Sequence, residues 1–113
     1  MSDRLHKHLH DALTAARRAV EYLGGATLQA YGASGLTRSA VERQLEILGE
    51  ACRRALEERP ELRRSMPETA LAVALRNRLI HGYDGVDDAI VHDTVVKDLP
   101  TLIDALAREL HKG

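Results

Sequence analysis

Residues 76–87 read RNRLIHGYDGVD, and the first eight positions bring together Arg76, Asn77, His81 and Tyr83, side chains of types that take part in chemistry. Arginine carries a permanent charge on a forked set of donors that suits phosphate oxygens. Histidine titrates nearest neutral pH, so His81 can act as a general acid or a general base. On a helix turning about 100° per residue, with Arg76 taken as zero, Ile80 lies at about 40°, Asn77 at about 100° and His81 at about 140°. The three polar side chains therefore share one broad face, with Asn77 and His81 as i, i+4 neighbours. Leu71, Ala72, Leu75 and Leu79 group on another side as the expected core face. Val73 and Ile80 fall among the polar residues, a mixture that suits a surface meeting a ligand or a second subunit. An Arg and a His in a last turn can also simply cap a helix, and spacing alone does not separate the two roles.

Four helical segments are expected to position this stretch. Leu5, Leu9, Ala12, Leu13, Ala16, Val20 and Leu23 recur at helical spacing until Gly24–Gly25, where glycine closes the first segment. Residues 24–35 read as the most loop-like and flexible part of the chain, with room for a short helical turn. Val41, Leu45, Leu48, Cys52, Ala55 and Leu56 form the stripe of the second segment, with Thr37 or Ser39 as N-cap and Pro60 as its end. Ser65 and Glu68 have capping-box spacing, with Pro67 tolerated in the first turn, so a third segment should run from there to about Gly82. Asp87 is a good N-cap for the fourth, which places Val91, Val95, Leu99, Leu102, Leu106 and Leu110 on one face. Pro100 should kink or split it. No internal repeat and no useful strand alternation is present, so the pattern predicts an all-α bundle of four main helices.

Composition narrows the function. The 113 residues suit one domain, over residues 1–113, and the net charge of −1 supplies no global basic field. Charge is unevenly placed: residues 53–81 hold seven Arg against four Glu, and residues 84–110 hold seven acids against Lys97 and Arg108. Such asymmetry can orient an anionic ligand or pair opposite faces of two subunits, although most single charges are solvated surface. With no Phe, no Trp and three Tyr, the core must be aliphatic, and a base-stacking platform is excluded. The lone Cys52 excludes an internal disulfide and a cysteine zinc site. No run approaches the about 20 apolar residues of a membrane span, and the N-terminus lacks the apolar core of a signal peptide. A soluble, cytoplasmic protein without membrane contact is expected.

The pattern R-N-x-x-x-H-x-Y followed by G-V-D strongly resembles the signature of HEPN-domain proteins of the HepT type, small all-α ribonuclease toxins with an R-x-x-x-x-H-x-Y motif. AVERQLEILGEACRRAL (40–56) and IVHDTVVKDLPTLIDAL (90–106) extend the likeness over residues 37–110, leaving the first helix and its loop generic. The resemblance implies a single HEPN domain, a HEPN-like bundle with a kinked or split last helix, and a homodimer whose two motifs line one cleft. By position, Arg76 and His81 match the ribonuclease pair, and Asn77 matches the polar residue after the Arg. Tyr83 matches the tyrosine that an MntA-like minimal nucleotidyltransferase antitoxin modifies with AMP. The implied activity is a metal-independent endoribonuclease toxin acting on RNA, with no cofactor. Cleavage without metal needs a base for the ribose 2′-OH, an acid for the leaving 5′-oxygen, and positive charge on the phosphorane. One His and one Arg per chain are few for this, and a two-fold axis doubles both.

Some residues depart from the family pattern. Tryptophan is missing before the third helix and in the fourth, where His92 stands instead, placed to affect packing or the cleft. VAL precedes Arg76 where Gly-Met is commoner. His6 and His10 have metal-compatible i, i+4 spacing, but no acidic ligand converges on them and a solvated helix end is the plainer reading. Tyr22 and Tyr31 should pack on the bundle. The alternative function is a non-enzymatic HEPN subunit that binds nucleotide or substrate for a partner nucleotidyltransferase.

Overall fold

Short polar side chains and glycines set the helix limits. The computed structural model describes residues 1–82 and 86–112, and no strand occurs among them. Helix α1 (Asp3–Leu23) starts where the Ser2 hydroxyl accepts the Leu5 N–H, and ends at Gly24, whose φ of 60° few other residues adopt. This is the stop expected from the sequence. The following stretch is more ordered than its glycines suggest: Thr27 caps a short helix, α2 (Leu28–Ala33), which buries Tyr31.

Helix α3 (Gly35–Glu58) begins two residues before the nearer expected cap. The cap is Ser34, whose hydroxyl accepts the Thr37 N–H at 3.2 Å and donates to Thr37 Oγ1 at 3.0 Å. Thr37 thus serves as the partner of the cap. The helix closes at Arg59, immediately before Pro60, as the proline requires.

The expected Ser65–Glu68 capping box does not form. Leu62 and Met66 are both buried and draw residues 62–65 into a separate turn, α4 (Leu62–Ser65), which Ser65 ends. Helix α5 (Glu68–His81) starts behind Pro67 with no side-chain cap, and the buried Thr69 hydroxyl donates back to the Met66 carbonyl at 2.7 Å. Helix α6 (Asp88–Asp93) does open on Asp87, whose carboxylate accepts the Ala89 N–H at 2.8 Å.

The last helix is broken as anticipated, and the form of the break has a physical reason. Residues Thr94–Asp98 make a π-helical turn between α6 and α7 (Leu99–Lys112), with the Leu99 N–H bonded to the Thr94 carbonyl. Pro100 has no N–H to give and its ring crowds the carbonyl four residues earlier. Val91, Val95 and Leu99 also recur in steps of four, which would drift about 80° around a regular helix. The wider π turn absorbs that drift, so all three point into the core with Leu102 and Leu106.

The bundle is built on α1 against α3. Helix α7 packs on α1 and also meets α5, α5 packs on α3, and α2 with α6 covers one end. Leu9, Leu45, Leu48, Leu99, Leu102 and Leu106 fill the middle, an aliphatic core as the composition requires. Arg59 on α3 reaches Glu109 on α7 at 2.9 Å, joining the basic and acidic parts of the sequence within one chain. No described helix is long and apolar enough to cross a membrane.

Tyr31 and His92 fix the covered end. His92 Nε2 donates to the Ala26 carbonyl at 2.8 Å, and its ring lies 6.3 Å from the fully buried Tyr31 ring. Among the described residues the Tyr31 hydroxyl has no hydrogen-bond partner. Burial, with Glu42 and Asp88 nearby and Arg38 opposing, pushes its pKa from 10.0 up to about 12. The folded chain therefore keeps a proton that the unfolded chain releases. The stability tied to the neutral phenol is full below pH 10 and is lost as pH rises toward 12. Tyr31→Phe should raise stability at pH 7 by about 1 kcal/mol, because it removes an unsatisfied hydroxyl. Urea titrations should show this gain widening above pH 10; a constant or shrinking difference would refute the assignment.

Candidate active site

Helix α5 carries the candidate residues, and a glycine on α3 sets its position. A Cβ built on Gly49 would overlap the Cβ of Arg76 and lie 2.9 Å from the Ala72 carbonyl oxygen. The two backbones meet more closely there than any side chain at 49 allows. Only Thr69, Ala72 and Leu75 of α5 are fully buried. Leu71, expected in the core, is 57% exposed, because the contact with α3 centres one residue further along, on Ala72. Leu79 is partly buried, as is Val73, and Ile80 is 45% exposed.

Arg76 points along this seam and is held on two sides. Its Nη2 lies 3.0 Å from Glu50 Oε2 on α3, and its Nη1 donates to Asn77 Oδ1 at 3.2 Å. Glu50 is crowded with guanidinium groups, since Oε1 also accepts from Arg53 Nη2 at 2.6 Å and Arg54 Nε at 3.0 Å. The hydrogen bond from Arg53 does most to hold the carboxyl at about 2; burial opposes, and Arg54 and Arg76 add to the lowering. Glu50 is an anion throughout the physiological range.

An open groove of about 770 Å³ runs between α1 and α3 and reaches Arg76 and Ile80. Lys7, Arg18, Arg43, Arg54 and Arg76 line it against three carboxylates, so its field is positive despite the near-neutral chain. His81 ends α5, is exposed, and does not line this groove. Among the described residues it has no hydrogen-bond or ion-pair partner. Asn77 Oδ1 accepts from the adjacent Arg76, while Asn77 and His81 share a face of α5 as i, i+4 neighbours. Tyr83 lies outside the described residues. His92 belongs to the α2–α6 end and leaves the groove untouched. No group of three His, Cys, Asp or Glu side chains that could hold a metal occurs among the described residues, so His6 and His10 belong to none. Burial pushes the Cys52 thiol up to about 12, which makes it a packing residue.

The family profile described as "Ribonuclease HepT-like" matches residues 12–109, nearly the whole bundle and all of α5. The chain belongs to the HepT-like ribonuclease family. A protein described as a probable ribonuclease HepT from Thermococcus cleftensis is 33% identical over 100 residues, 88% of this chain and 90% of that one. A protein provisionally named an RNase from Methanocaldococcus jannaschii is 33% identical over 94 residues, 83% of this chain and 85% of that one. Another so named, from Caldanaerobacter subterraneus, reaches 40% over 67 residues, 59% of this chain and 58% of that one. No solved structure matches the chain. The match of this HepT-like chain begins at residue 12, so most of α1, which reads as generic in sequence, falls within the family's span.

Reading the HepT-like chain as a sequence misses Gly49, Glu50 and the α1 wall of the groove. Gly49 does leave a signal, an isolated glycine inside a strong helical stripe, where it costs helix stability unless another backbone approaches. Gly49→Ala should therefore destabilise the protein by about 1–3 kcal/mol, since α5 must move off α3. Gly35→Ala, where the nearest foreign atom is 3.7 Å away, should change stability by less than about 0.5 kcal/mol. Equal thermal shifts for the two variants would contradict the close approach.

Proposed function

We propose that this protein is a metal-independent endoribonuclease, the toxin of a toxin–antitoxin pair, active as a homodimer and silenced by AMP transfer to Tyr83. One observation carries the reading: within a HepT-like ribonuclease chain, a fixed arginine from the motif helix opens onto a positively lined groove. Arg76 anchors the scissile phosphate and stabilises the charge that builds on it in the phosphorane. His81 acts as general base on the ribose 2′-OH or as general acid for the leaving 5′-oxygen, and the second subunit's copy takes the other task. Asn77 supports by bonding to Arg76. Attack of the 2′-oxygen breaks the P–O5′ bond and leaves a cyclic 2′,3′-phosphate and a free 5′-hydroxyl. The apolar Val73 and Ile80 beside these groups, with Ile80 well exposed, suit the face to a subunit contact near the axis.

Tyr83 follows His81 by two residues, next to Gly82 and Gly85. In this reading its phenolic oxygen attacks the α-phosphate of ATP in a partner nucleotidyltransferase, and pyrophosphate leaves. The new phosphodiester adds bulk and negative charge two residues along the chain from His81, so it would compete with the RNA phosphate.

Arg76→Ala and His81→Ala should each lower kcat on RNA by about 10²–10⁴-fold while KM changes far less, with the helical circular dichroism intact. Full activity in His81→Ala would reject its role. Absence of cleavage by the wild-type protein would favour a non-enzymatic subunit. Co-expression with the cognate nucleotidyltransferase should add the mass of one adenylyl group, and Tyr83→Phe should both lose the adduct and stay toxic. A Tyr83→Phe variant still silenced by the partner's catalysis would count decisively against this control.

A further inference from the structure

Glu50 has no assigned part in the reaction, yet it is the group that Arg76 touches across the helix seam. Its carboxylate meets three guanidiniums from two helices: Arg76 on α5, and Arg53 and Arg54 on α3. Gly49, the preceding residue, is where α5 comes so close that no Cβ fits. The Gly-Glu pair thus forms a seat, with the glycine admitting the Arg76 backbone and the glutamate gripping its head. We propose that Glu50 is a positioning residue for Arg76, fixing the guanidinium at the mouth of the groove before RNA binds. The inference rests on the ribonuclease reading for its effect on rate, though the grip itself does not depend on it.

Three physical points support the role. First, arginine has five N–H donors, and Arg76 gives one to Asn77 while its Nη2 forms an ion pair with Glu50, so donors remain for phosphate oxygens. Second, a carboxylate beside a phosphate site would ordinarily repel substrate. Here Arg54 joins Arg76 on Glu50, so this trio keeps a net charge of +1, and Arg53 adds a further contact while shared with Glu57. Third, an arginine side chain loses considerable rotamer freedom on fixing, and holding it in advance removes that loss from the transition state. Glu50 and Arg76 are 29% and 23% exposed, so the pair is shielded enough to hold and open enough to meet substrate.

The test combines kinetics with a measurement that needs no activity. In Glu50→Gln the shape remains and the charge is lost. The variant should lose about ten- to a hundred-fold in kcat on RNA with KM little changed. Glu50→Asp, with charge kept and reach shortened, should fall between wild type and Glu50→Gln. In parallel, NMR relaxation of the Arg76 Nε–Hε group should show an ordered side chain in wild type and a mobile one in Glu50→Gln. An equally ordered Arg76 in both proteins overturns the proposal, as does a mobile Arg76 with unchanged kcat. If the wild-type protein cleaves no RNA, the ribonuclease reading fails, and the relaxation data still decide whether Glu50 holds Arg76.

Discussion

The close approach of α3 and α5 at Gly49 is the constraint on which the candidate site depends. Helix packing normally separates axes by the side chains between them, and one missing Cβ here removes that spacer. The approach does two things at once. It lets Ala72 and Leu75 close over the α3 stripe, and it brings the base of Arg76 within reach of Glu50. A longer separation would leave the arginine pointing into solvent as an ordinary surface charge. Stability and site geometry are thus fixed by the same few atoms.

The electrostatics follow from that geometry. The chain carries almost no net charge, but the fold sorts what it has. Arg59 is neutralised by Glu109, and Arg38 lies 3.6 Å from Asp88 while bonding the Gly32 carbonyl. The groove between α1 and α3 keeps an excess of cations, two of them gathered on one carboxylate. A local positive field therefore coexists with a mildly acidic protein. That combination suits a phosphate-bearing ligand bound at one place better than a polyanion bound along a whole surface.

Much of this was legible in the sequence where one residue decides one local event. Gly24 had to end α1, Asp87 had to begin α6, and Pro100 had to disturb the last helix. The shared face of Arg76 and Asn77 also followed from helical periodicity. What could not be read depended on distant partners. Ser34 outcompetes Thr37 as cap because Gly35 and Leu36 join the helix. Ser65 has the right spacing to Glu68, but buried Leu62 and Met66 take it for α4. Leu71 looks like core on a wheel, while the contact line set by Gly49 leaves it outside. The π turn reconciles Pro100 with a four-residue apolar repeat, which neither feature announces alone. The wall that α1 contributes to the groove is a purely tertiary result, since nothing in Lys7 or Arg18 marks it locally.

Helix α5 has weak local reasons to be a helix. It starts without a side-chain cap, it buries three residues fully, and apolar side chains lie all round it, with Leu71 and Ile80 facing outward. Helices α1 and α3, by contrast, are longer, side-chain-capped, and bury eight residues each. Opening α5 thus sacrifices less than opening α1 or α3, and its amides should exchange with solvent ahead of theirs. Transient release of α5 would carry Arg76 away from its seat and take His81 with it, while the α1–α3–α7 core stayed folded. The site would then be lost by local unfolding long before the protein is, which makes its lifetime a property of one seam.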